Sequence, residues 1–116
     1  ANASISGTFG AATTNYSQMT GASDELANGN GYTTGGYALT NVNPTSGGTV
    51  AFTSFAANAA WTSATFTTRG CLIYNTSDSN SAVAVIDFGA DYSVAGGTFE
   101  IQWPAADSSN AIIRIN

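Results

Sequence analysis

The residues with chemical capacity are few and widely spaced. The chain has no histidine, one cysteine and seven acids, namely Asp24, Glu25, Asp78, Asp87, Asp91, Glu100 and Asp107. A cysteine thiol becomes a nucleophile when a neighbouring base, usually histidine, draws off its proton. Cys71 has no such partner, and it sits in the apolar run Cys71-Leu72-Ile73-Tyr74, where a small buried hydrophobe is the expected role. As the sole cysteine it also excludes an intrachain disulfide. Glycoside hydrolysis needs two carboxyl groups converging on a cleft, whereas Glu100 lies on the polar side of a strand pattern beside Gln102, with no evident second acid. Asp87 and Asp91 flank a predicted turn, with Asp78 as a third oxygen donor for a weak Ca²⁺ site. The ligand spacing of a calcium loop is absent, and aspartates in turns commonly bond their own backbone. The stretch Gly29-Asn30-Gly31-Tyr32-Thr33-Thr34-Gly35-Gly36 has the glycine content of a phosphate cradle. Such a cradle opens a helix and carries a lysine or a downstream acid; here a strand pattern follows, so a structural loop is expected. These readings predict no catalytic residue, no metal and no cofactor.

Four residues stand out as structural: Trp61, Trp103, Arg69 and Asp87. Trp61, Trp103, Tyr37, Tyr74 and Tyr92 could together stack on a sugar, but aromatics in β domains mostly fill cores. Trp103 shares an apolar face with Phe99 and Ile101, while Trp61 follows an alanine-rich stretch and is less constrained. Arg69 is one of only two bases, the other being Arg114. It is predicted to be a buried or half-buried cation that holds Asp87 or Asp91 by a charge-assisted bond.

Composition narrows the function classes further. Charged residues make up 8% of the chain, against about 25% in ordinary soluble domains, and the net charge is -5. Nucleic-acid binding needs several cations to displace counterions from phosphates, and a membrane-surface patch needs a basic cluster; neither is available. No run approaches the ~18 apolar residues of a membrane span. No signal-peptide pattern is visible, and a start at Ala1 leaves open whether an initiator methionine or a longer leader preceded it. A surface of Ser, Thr, Asn and Gly lacks the charge that keeps small proteins apart, so a homo-oligomer or other packed assembly is expected.

The elements that position these residues read as strands. Tyr37 to Val42 and Thr49 to Thr53 alternate around the turn-like Asn43-Pro44-Thr45-Ser46-Gly47-Gly48, predicting a hairpin. Cys71 to Asn75 is a short apolar run, Thr76 to Asn80 a polar loop, and Val83 to Phe88 a returning strand. A further turn is predicted through Asp91 and Gly96-Gly97. Phe99, Ile101 and Trp103 then alternate with Thr98, Glu100 and Gln102, and Ile112 to Ile115 is β-branched. Ile5 to Phe9 is compatible with a short strand and Thr14 to Leu26 with a helical turn. The whole predicts one all-β domain over residues 1–116, an antiparallel β-sandwich or sandwich-like barrel of about seven or eight short strands. Its core would hold Phe52, Ile73, Val85, Ile101 and Trp103, and residues 1–36 would be an irregular region packed on it or extending from it.

An ordered set of segments completes the reading. Gly31-Tyr32-Thr33-Thr34-Gly35-Gly36 precedes a strand. Trp61 and Ala64-Thr65-Phe66-Thr67-Thr68-Arg69-Gly70 follow, then Ile73-Tyr74, Val85-Ile86-Asp87-Phe88-Gly89-Ala90-Asp91 and Gly97-Thr98-Phe99-Glu100-Ile101-Gln102-Trp103. In this order, over Asp24 to Asn116, they resemble a family of small structural proteins encoded by tailed bacteriophages. The chain departs from that family in lacking its usual lysines and a clear N-terminal strand. The resemblance implies a non-enzymatic virion component with no catalytic residues to carry over. A capsid decoration or cement protein bound to the major capsid protein is the first expectation, with a trimer the natural form at threefold positions. A tail, neck or fibre-associated protein, or a carbohydrate- or receptor-binding module displayed on the particle, is the alternative.

Overall fold

A computed structural model describes residues Ala1 to Ile115. It is built from one short helix and five strands: α1 (Ser17–Gly21), β1 (Thr45–Gly47), β2 (Val50–Thr53), β3 (Ala59–Asn75), β4 (Ser81–Ile101) and β5 (Ile113–Ile115). All strand pairs are antiparallel, in two sheets of order β1-β2-β5 and β3-β4. The fold is therefore mostly β with almost no helix.

The strands are fewer and longer than the sequence pattern predicts. Ala59 to Gly70 reads as weak strand because it is rich in Ala, Thr and Ser, yet it continues into the apolar run and pairs throughout with β4, from Ala59 opposite Ile101 to Asn75 opposite Ser81. The expected turn through Asp91 and Gly96-Gly97 is absorbed as irregularities within β4. Between Thr68–Tyr92 and Gly70–Asp87, residues 88–91 stand against Arg69 alone. Gly89 takes φ +77° there and donates its N–H to Asp87 Oδ1 at 2.9 Å. A second bulge falls at Gly96, φ +65°. Bulges of this kind strengthen twist and re-aim side chains, which is how the 21-residue β4 follows the 17-residue β3. The loop at residues 76–80 lies where the sequence places it.

The first predicted hairpin shifts register. Gly47 opposes Val50, so the turn is the two-residue Gly48-Thr49, with Gly48 at φ +65°. Such tight turns favour a residue with positive φ, and Gly48 draws the turn toward itself, so that Thr45 to Gly47 becomes strand. Residues 37–42 form no strand. They keep only a fragment of ladder, with Val42 N–H donating to Ser54 O at 3.0 Å and Ala56 N–H to Thr40 O at 2.8 Å.

The irregular first 44 residues form a layer across the β3-β4 ribbon. Gly31, at φ +84°, lies so close to β3 that a Cβ there would sit 2.7 Å from Ala64 Cα, and Asn30 O accepts a 2.9 Å bond from Thr65 N–H. Few side chains are fully buried: Met19, Ala59, Ala64, Ile73 and Ala111 among the apolar ones. Of the expected core residues only Ile73 is in that set, and Phe52, Val85, Ile101 and Trp103 are half-buried.

This geometry makes two glycines unequal. Gly31→Ala adds both a collision with backbone and a left-handed strain of about 1–2 kcal/mol, and is expected to lower the melting temperature by roughly 10 °C or more. Gly48 has open space around its missing Cβ, so Gly48→Asn should leave the thermal transition within about 2 °C. Thermal melts of the two variants check the contrast.

Candidate functional site: an uncharged aromatic crevice

The site is assembled from two layers that face each other without closing. On the ribbon, Trp61 and Phe66 of β3 lie beside Phe88, Tyr92 and Phe99 of β4. Ring centroids link Tyr92 to Phe88 at 6.0 Å, Phe88 to Phe99 at 6.3 Å, Phe99 to Trp61 at 5.9 Å and Trp61 to Tyr37 at 5.4 Å. Phe66 joins at 5.5 Å from Phe99, and Tyr32 at 6.3 Å from Phe66. Edge-to-face and offset contacts of this kind are the preferred ring geometries. The bulge at residues 88–91 accounts for the Phe88 position, which simple alternation along β4 would not give.

The opposing layer is fastened by carboxylates that the sequence reading did not single out. Glu25 accepts hydrogen bonds from Tyr16 Oη at 2.6 Å, Tyr32 Oη at 2.8 Å and Gly35 N at 2.7 Å. Tyr74, stacked on Tyr16 at 4.4 Å, donates its hydroxyl to Gly35 O at 2.7 Å. Burial, followed by the bond to Glu25, pushes the Tyr16 and Tyr32 phenols well above their ordinary range. Asp24 is 1% exposed. Its carboxylate accepts from Ser6 N at 2.8 Å, Ser6 Oγ at 3.1 Å and Gly7 N at 2.7 Å. Burial alone would raise its pKa, but the backbone bonds from Ser6 and Gly7 and the Ser6 hydroxyl outweigh that and hold it below the usual carboxylate range. The available signal was two adjacent acids ahead of a glycine-rich loop, in a chain with few acids.

Between the layers runs an open crevice of about 850 Å³. Tyr37, Leu39, Trp61, Phe66, Phe99 and Trp103 are among the side chains that line it; among the described residues no Asp, Glu, Lys or Arg side chain does so, and the Ala1 ammonium at its edge is bonded to Gly70 O. Trp103 meets Phe55 edge-on at 5.1 Å, and its indole N–H is buried with no acceptor in the chain. Cys71 also faces the crevice, and burial raises its thiol pKa, the direction that suppresses thiolate reactivity.

The four residues singled out from sequence do not converge. Trp61 and Trp103 both line the crevice. Arg69 meets Asp91 at 2.7 Å, with side chains 47% and 44% exposed, so the expected buried or half-buried cation is instead a surface ion pair. The bulge that carries Asp91 past β3 holds the pair at the surface. Asp87 serves its own turn through Gly89. Among the described residues no three His, Cys, Asp or Glu side chains are grouped as a metal site, and no helix is long and apolar enough to cross a membrane.

The crevice is matched by an anomaly of burial. Not one of the thirteen aromatic side chains is fully buried. The chain exposes 6862 Å², whereas the surface scaling of folded monomers gives about 5,900 Å² for its mass, an excess of roughly 1,000 Å². Its radius of gyration is 15.0 Å, against about 13 Å for a compact domain of this length. The chain matches no family model, no curated protein and no solved structure.

Two measurements test the polar framework. Asp24 holds its negative charge more readily when folded than unfolded, so its contribution to stability is complete above the ordinary carboxylate pKa near 4. That contribution is lost as pH falls through its depressed folded value. Asp107, held low by Asn110 and by the N–H groups of Ser109 and Asn110, adds to the same window. The melting temperature should therefore fall as the pH drops below the ordinary carboxylate value near 4. Asp24→Asn should cost about 2 kcal/mol or more at neutral pH and flatten part of that acid limb. Arg69→Ala, by contrast, should cost less than about 1 kcal/mol, as exposed pairs do, leaving the melt nearly unchanged.

Proposed function

We propose that this chain is a non-enzymatic structural component of a tailed-phage virion, acting first as a capsid decoration or cement protein on the major capsid protein. The observation that carries the reading is the incompletely covered aromatic face, in which no ring is fully buried and Tyr37 and Tyr92 are exposed. Exposed apolar surface beyond the usual scatter of single residues marks interaction sites. Over the whole chain, the excess of roughly 1,000 Å² above the monomer scaling is comparable to the ~800 Å² that each partner contributes to a standard interface. The β-sandwich expected from the strand pattern belongs to the same reading, in which a neighbour's surface supplies the cover that the chain's own two sheets do not give each other.

The uncharged lining also sets the kind of partner. A lining without ionic side chains favours uncharged polar and apolar surface and gains little from electrostatic steering. Such a contact is insensitive to salt, because screening removes only the ionic part of an attraction. An architectural protein that must hold through changes of medium gains from that property. The resemblance of the ordered segments from Gly31 to Trp103 to small phage structural proteins supports the same placement.

The test is made on purified particles of the phage that encodes the chain. Quantitative electrophoresis should find it at a copy number comparable to that of the major capsid protein. A wash at about 1 M salt, where the Debye length is about 3 Å, should leave most copies bound. A low, fixed copy number would move it to the neck, tail or fibre. Absence from particles would overturn the virion assignment, and release by salt would show that its acids dock on a basic partner.

A further inference from the structure

β5 runs along the rim of the crevice, where Ile112 and Ile113 contribute to the lining. Ile113 and Ile115, two residues apart, share one face of the strand and are 45% and 67% exposed. Arg114, between them on the opposite face, donates its guanidinium to the Ser109 carbonyl, so its charge is engaged within its own chain. The strand therefore offers a pair of bare isoleucines and no free cation. It pairs only with β2, so its second backbone edge has no partner strand among the described residues.

The open edge of β4 is less suited to association. Residues 83–101 of β4 make no backbone hydrogen bond outside their ladder with β3 among the described residues. That edge is interrupted by the bulges at residues 88–91 and Gly96 and carries Asp87, Asp91 and Glu100. Bulges and charges are the usual means by which proteins block edge-to-edge pairing. Between copies that each carry a net charge of -5, those acids would also repel.

We propose that a second copy of this chain covers the crevice, with Ile113 and Ile115 of its β5 seated against the aromatic wall of Trp61, Phe99 and Tyr37. Because β5 stands at the rim of its own crevice, a two-fold axis beside that rim places each copy's isoleucines over the other's opening, a self-complementary interface of the kind that closes dimers. The excess of roughly 1,000 Å² per chain over the monomer scaling is about what such an interface removes on each side. The inference rests on reading the crevice as an assembly surface whose cover is the second copy, so that the dimer would meet the capsid with its remaining uncharged surface. It does not depend on where the assembly sits.

The experiment is sedimentation equilibrium of the full chain over a range of concentration, at low salt and at 1 M salt, for the wild type, Ile115→Asp and Ile5→Asp. Ile5 is a partly exposed isoleucine that does not line the crevice. The wild type should be a dimer whose dissociation constant changes by less than about threefold with salt. Ile115→Asp should weaken it at least a hundredfold, and Ile5→Asp should leave it within about threefold. If the aspartate variant loses its far-ultraviolet signature, Ile115→Thr, which keeps the β-branch, replaces it and should weaken the dimer at least fivefold. A wild type that is monomeric at every concentration overturns the proposal, as does an Ile115 variant that associates as the wild type does. A native mass spectrum in which the monomer carries a bound small molecule would also overturn it, since 850 Å³ lies within the range of ligand pockets. A monomer found in stoichiometric amount on particles would overturn self-association while leaving the virion assignment standing. A dimer absent from particles would do the reverse.

Discussion

Asp24 and Glu25 are adjacent in the chain, and their carboxylates grip different segments. Asp24 holds the backbone at Ser6 and Gly7, and Glu25 gathers Tyr16, Tyr32 and the Gly35 backbone. Through Tyr74, which bonds Gly35 and stacks on Tyr16, this clasp reaches the β3-β4 ribbon. The irregular N-terminal layer is therefore held by directional polar bonds more than by close apolar packing. Such bonds fix a spacing, whereas hydrophobic contact would tend to collapse it. The layer meets the aromatic face through Tyr32 and Tyr37, whose rings lie against Trp61 and Phe66, and the crevice opens around those contacts.

The consequence is a fold in which, among the described residues, the only large, completely buried side chain is an aspartate, while no aromatic residue is fully buried. A two-stranded ribbon is marginal by itself and needs cover on its apolar face. The N-terminal layer supplies that cover at one end, through Gly31 against Ala64, and at the other end, just beyond the strands, Phe55 packs edge-on against Trp103. The charge distribution agrees with this division. The acids lie in turns, in the clasp and on the outer edge of β4, and they leave the crevice bare of ionic side chains.

Much of the fold was legible in the sequence where the physics is local. The loop at residues 76–80, the alternation of Phe99 and Ile101 with Thr98 and Glu100, and β5 all follow from side-chain period and turn chemistry. The length of β3 and β4 did not, because Ala59 to Gly70 has little strand propensity of its own and becomes strand only through its non-local pairing with β4. The bulge at residues 88–91 was hidden for a related reason: Asp87 and Gly89 signal a turn, and the chain uses that signal without leaving the strand. At the site, the aromatic residues were visible as a set, but their arrangement as one face was not. Of the two partners expected for Arg69 it holds Asp91, but the pair lies at the surface and not in the interior, because the bulge carries Asp91 outward. The Asp24–Glu25 clasp stayed invisible because its partners are backbone amides and tyrosines up to 18 residues away, which no spacing rule connects.

The central claim is that the aromatic face is open in the isolated chain and covered in the assembled one. Trp61 reports on it directly, with Trp103 replaced by phenylalanine so that a single indole remains. Acrylamide quenching of its fluorescence should be strong in dilute monomer and fall several-fold as the protein assembles, with a shift of emission to shorter wavelength. Quenching that is already weak in the monomer, or that does not change with assembly, would contradict the account.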